Sequence, residues 1–82
     1  MQTNKNLTNL REGEWGIVDI LEAKEDMRRR FMDLGLIQGT KVQCVQKSPY
    51  GDPVAYRVRG AVIAIRNQDA HGIYIQEVPR WA

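Results

Sequence analysis

"VAYRVRGAVIAIR", residues Val54 to Arg66, decides the fold class. Val54, Tyr56 and Val58 alternate with Ala55 and Arg57, the two-residue period of a strand with one face in a core. Arg59-Gly60 separates this run from a second apolar, β-branched run, Ala61 to Arg66. Two residues between two such runs, the second a glycine, predict a tight β-hairpin. The segments on either side are therefore read as parts of an antiparallel sheet.

Immediately upstream lies "SPYGDP", Ser48 to Pro53. Its prolines, glycine and aspartate fit a turn between the hairpin and a preceding strand, "TKVQCVQK", expected over about 41–47, with Pro53 opening the next strand. Tyr50 at the tip is not explained by turn chemistry. Further upstream, "KEDMRRRFMDLGLIQG" switches to a helical period, with Met27, Phe31 and Leu34 on one stripe. Glu25 and Asp26 suit the positive end of a helix, and Asp26 fits an N-cap. Gly35 fits the left-handed stop, and Leu36 is expected to fold back onto Phe31 in a Schellman closure. The helix is thus short, ending near Leu34. Before it, "WGIVDILEA" predicts a strand over about 15–22.

Downstream of the hairpin, "NQDAHG" predicts one helical turn with Asn67 as cap and Gly72 as stop. "IYIQEV" predicts a last strand with Ile73 and Ile75 inward, ended by Pro79. Residues 1–9 are polar around Leu7 and are expected to be a loose tail. Residues 79–82 are read as a short C-terminal tail, where Trp81 either packs on the domain or mediates weak self-association. The expected architecture is mainly β over residues 10–78: a small five-stranded barrel, one short helix after the first strand and one helical turn before the last.

The 82 residues make one domain. A chain this short buries only about 60% of its unfolded surface, so small domains often need a staple. With Cys44 as its one cysteine and His71 as its one histidine, the chain has neither an intramolecular disulfide nor a Cys/His zinc framework. Packing must hold it. The N-terminus lacks the apolar run of a signal peptide, and no stretch approaches the roughly 18 apolar residues of a membrane span, so a cytoplasmic protein is expected. Twelve basic and ten acidic side chains give a net charge of +2 and are mostly interspersed. Only Arg28-Arg29-Arg30 forms a basic cluster, less than the usual footprint of a nucleic-acid binder, so a nucleic-acid-binding small barrel is the less favoured alternative.

Candidate chemistry is sparse. Asp69 and His71, with Glu77, are the residues a divalent transition metal such as Fe²⁺ would use, but three or four converging ligands are the norm. Cys44 lies on another element. No nucleophile–base–orienter set is visible, so catalysis is not expected. "GLIQGTK" has the wrong glycine spacing and the wrong element order for a phosphate loop. A protein partner suits the remaining residues better. Tyr50 is a knob presented by Gly51 and Asp52, and Met32, Leu36 and Ile37 are candidates for an apolar patch beside it. Arg28 and Arg29 could face an acidic surface.

The order Arg30, Leu34-Gly35-Leu36, Gly39, Pro49-x-Gly51-Asp52-Pro53, Arg59-Gly60 and Arg66 resembles the FeoA family, small proteins that accompany the bacterial ferrous iron transporter. "LREGEWGIV" is similar to the family's start and "DAHGIYIQEV" to its end, so the resemblance covers about residues 7–78. Phe31 and Tyr50 stand where leucine-like residues are commoner. The resemblance implies an SH3-like barrel with an inserted helix, and a non-catalytic cytoplasmic accessory of the FeoB permease, a membrane protein with a GTPase domain. It also implies an association with transition metals, because the same fold forms the C-terminal domain of iron-dependent repressors.

Overall fold

The structure, a computed structural model, describes residues 5–78. Six strands form it: β1 (Lys5–Asn6), β2 (Trp15–Leu21), β3 (Lys41–Lys47), β4 (Val54–Val58), β5 (Ala61–Ile65) and β6 (Ile73–Glu77). Two helices interrupt them, α1 (Glu25–Asp33) and the single turn α2 (Asn67–Ala70), and a 3-10 turn covers Leu7–Asn9. The strand order is β1-β6-β2-β3-β4-β5, with every neighbouring pair antiparallel. The central hairpin has the expected bounds. Arg59 and Gly60 both have positive φ, 51° and 83°, as a type I′ turn requires.

Alternation builds the core. Val42 and Cys44 on β3, Val54, Tyr56 and Val58 on β4, and Ile73 and Ile75 on β6 all point inward and are buried. On β2 a register shift falls between Val18 and Ile20. Val18 is buried before the bulge, and Ile20 is exposed after it. Gly72 does more than end α2. A Cβ there would lie 2.0 Å from the Glu22 carbonyl oxygen, so the chain passes Glu22 too closely for any side chain.

Expectations change at the N-terminus and in the strand count. Residues 5–9 are not a loose tail: β1 pairs with β6, and Leu7 is fully buried. The turn is locally encoded, because Asn6 Oδ1 accepts from the Thr8 N–H and Asn9 Oδ1 accepts from the Asn6 N–H. The sheet therefore has six strands rather than five. The N-terminal segment reaches across the core, where the Tyr56 hydroxyl of β4 donates to the Leu7 carbonyl at 3.3 Å. Residues 1–4, together with Pro79 and Trp81, lie outside the described residues.

The helix caps also differ from expectation. Lys24 occupies the α1 N-cap without a side-chain bond, and Asp26 sits inside the first turn, accepting from the Met27 N–H. At α2 the cap position is Arg66, and Asn67 is the first helical residue. The α1 C-terminus closes as a Schellman motif. Gly35 (φ 102°) donates to the Met32 carbonyl and Leu36 to the Phe31 carbonyl. This closure removes Leu34 from the Met27–Phe31 stripe, because the chain leaves the helix at that residue. Leu34 is exposed, and Leu36 takes the core position instead.

Candidate partner-docking surface

The loop after β3 is rigidly built. The Gly51 N–H donates to the Ser48 carbonyl at 2.8 Å, closing a turn around Pro49 and Tyr50. The loop is then clamped to α2. Asp52 Oδ1 accepts from the Asn67 N–H at 2.9 Å, and Asn67 Nδ2 donates to the Gly51 carbonyl at 2.8 Å. Asp52 is thus the real cap of α2, supplied from 15 residues away in sequence. Between these fixed points Tyr50 stands 96% exposed.

The sequence-predicted residues do not form one surface. Tyr50, Gly51 and Asp52 follow β3, whereas Met32 and Ile37 precede it. The two groups lie beyond opposite ends of β3, a seven-residue strand about 20 Å long. Leu36 is fully buried and offers nothing to a partner, a correction to its place in the apolar patch. Its Schellman bond to Phe31 turns it inward. Met32, Leu34 and Ile37 instead form an exposed apolar corner around the end of α1. Arg28 and Arg29 are exposed on the preceding turn and form no salt bridge among the described residues. Leu34 was missed because the helical period was carried one residue too far.

The candidate ligands also stay apart. Among the described residues no three His, Cys, Asp or Glu side chains gather into a group able to hold a metal ion. Asp69 and His71 belong to α2 and its C-cap, while Glu77 ends β6. Glu77 is engaged by Lys5 Nζ at 2.6 Å, and that hydrogen bond holds its carboxyl below the usual range. Cys44 is a buried free thiol whose pKa is raised chiefly by burial, the reverse of an activated nucleophile. Trp15 is a further exposed aromatic, set in a groove with Leu10, Ile75 and Val78. Among the described residues no helix is long and apolar enough to cross a membrane.

Residues 5–77 match the family model of the FeoA domain. The chain belongs to the FeoA family. It is 29% identical over 70 residues to the Fe(2+) transport protein A/Fe(2+) transporter FeoB fusion protein of Porphyromonas gingivalis. That match takes in 85% of this chain and 8% of the fusion protein, so the chain spans a small part of that relative's length. The solution structure of FeoA protein from Chlorobium tepidum is similar at a TM-score of 0.87 and 32% identity, over 92% of this chain and 71% of that one. Stenotrophomonas maltophilia FeoA complexed with zinc, an SH3 domain protein, is similar at a TM-score of 0.74 and 26% identity, over 88% and 89% of the two chains. The FeoA fold here is the mainly β, SH3-like architecture that the sequence implied.

Proposed function

We propose that this chain is a non-catalytic, cytoplasmic accessory of ferrous iron uptake that docks on a FeoB-type permease or its GTPase domain and modulates transport. The observation that carries the reading is Tyr50. A large aromatic side chain is held out in solvent by a loop fixed on one side by its own turn and on the other by α2. Such a side chain loses little freedom on binding and supplies the contact area typical of an interface hot spot. The FeoA–FeoB fusion in a relative supports the partner, since it joins an FeoA-like segment to the transporter in one polypeptide. Met32, Arg28 and Arg29 provide a second, smaller contact. An interface below about 1,200 Å², of the transient class, suits so small a surface. Nucleic acid has no part in this reading.

The test is binding of Tyr50→Ala to the cytoplasmic part of the permease. The variant should keep its thermal stability and bind at least about tenfold more weakly. Unchanged affinity in a stable variant would sink the docking role of Tyr50.

In this reading Fe²⁺ is the cargo of the system rather than a resident cofactor. The zinc complex of a relative favours a second reading, in which this chain itself meets a divalent transition metal as a sensor or chaperone. Asp69 and His71, two residues apart on α2 and its C-cap, do not share a helix face, so such binding would be weak. Anaerobic equilibrium dialysis with Fe²⁺ decides it. Retention lost in His71→Ala supports direct binding, and no retention at micromolar free metal removes it.

A further inference from the structure

β5 is the edge of the sheet, and among the described residues no strand pairs with its outer side. Its sequence, Ala61-Val62-Ile63-Ala64-Ile65, has no charge, no proline and no bulge, the devices that usually protect an edge. The type I′ turn fixes which backbone groups are free. In a two-residue hairpin the flanking residues, Val58 and Ala61, exchange hydrogen bonds, and such pairs alternate along the ladder. Ala61, Ile63 and Ile65 therefore bond to β4. Val62 and Ala64 turn their N–H and C=O groups outward, and both residues are exposed. Val62 is 52% exposed.

Arginines outnumber carboxylates around this edge, with Asp52 on the Asn67 N–H as the acidic neighbour at the Arg66 end. Arg57 lies directly across from Val62 on β4, Arg59 is in the turn, and Arg66 follows the strand. None of the three pairs with a carboxylate among the described residues, but Arg57 leans away from the edge, its Nε donating to Gln43 Oε1 on β3 at 3.4 Å. A second copy of the chain fits poorly, because antiparallel edges would bring Arg66 of one against the Arg59–Gly60 turn of the other. We propose that the outer edge of β5 accepts an extended segment of a partner chain as an added strand, one with alternating apolar residues and acidic residues at its ends. Val62 and Ala64 supply the backbone bonds, and Arg59 and Arg66, at the two ends of the strand, select the flanks. The inference is independent of iron and of the docking role of Tyr50, which lies in the loop before β4.

The probe is a synthetic peptide of alternating valine and threonine with a glutamate pair at each end, followed by amide chemical shifts and hydrogen exchange. Saturable shifts and slowed exchange are expected at Val62 and Ala64. Ala64→Pro removes one outward donor while leaving the β4 ladder intact, because proline is tolerated on an edge whose N–H faces solvent. It should weaken binding about tenfold. If that variant fails to fold, Arg66→Glu decides instead, and should shift preference toward the same peptide ended with lysines. The proposal is overturned if the two amides show no saturable change, or if lysine-ended and glutamate-ended peptides bind the native chain equally. Equal binding by folded Ala64→Pro also overturns it. So does protection at Val62 and Ala64 that rises with protein concentration alone, which would assign the edge to a second copy.

Discussion

Tyr56 and Tyr50 sit on neighbouring elements and have opposite fates. Tyr56 is 1% exposed, its ring in the core and its hydroxyl on the Leu7 carbonyl. Burial pushes its pKa up to about 12. Since the folded state keeps this proton longer than the unfolded chain, Tyr56 contributes stability in full below about pH 10, and that contribution is lost between pH 10 and about 12. Cys44, also raised by burial, acts in the same direction. In Tyr56→Phe the alkaline loss of stability should therefore be smaller than in the native chain. Denaturant midpoints measured at neutral and alkaline pH check this, and an unchanged pH dependence would assign the loss to other groups. Tyr56 was legible as a core residue from its alternation with Ala55 and Arg57. Its hydroxyl partner was not, because the segment that supplies it is 49 residues away and reads as polar tail.

At the scale of elements, local patterns were read well where one segment decides its own conformation. The Arg59–Gly60 hairpin and the Gly35 helix stop have their expected geometry because both follow from left-handed backbone positions. The α2 cap was misread because its partner is distant. Asp52 looked like turn chemistry, yet it accepts the first N–H of α2 at 2.9 Å. Asp52→Ala should cost about 1 kcal/mol, as for other lost N-caps. Asp52→Asn should retain most of that, because its amide oxygen still accepts. Chemical denaturation of the two variants separates them, and equal stability of both with the native chain would remove the capping role. The docking proposed for Tyr50 should weaken in Asp52→Ala only as far as the loop loosens. Which of the candidate docking residues are exposed was only half legible, since exposure depends on where the chain leaves α1. One residue of drift exchanged Leu34 for Leu36.

For the whole molecule, the question is how 82 residues without a disulfide hold together. The answer includes the N-terminal segment. Leu7 is 0% exposed, and its carbonyl receives the Tyr56 hydroxyl, so the segment links β1, at one end of the strand order, to β4, beside the other end. Burying a leucine of this kind stabilises by about 1.5–3 kcal/mol, and truncating it adds the cost of a cavity. Leu7→Ala should therefore lose about 2–5 kcal/mol. Small domains hold only about 5–15 kcal/mol in total, so this single change takes a large share. Each kcal/mol lowers the melting temperature of a domain this size by roughly 4–8 °C, so a fall of at least about 8 °C is expected. Deleting residues 1–9 should cost at least as much as Leu7→Ala, because it also removes β1 and leaves the Tyr56 hydroxyl buried without its acceptor. Calorimetry of both variants tests this. A melting temperature within about 2 °C of the native value would mean that the sheet closes its core without the segment.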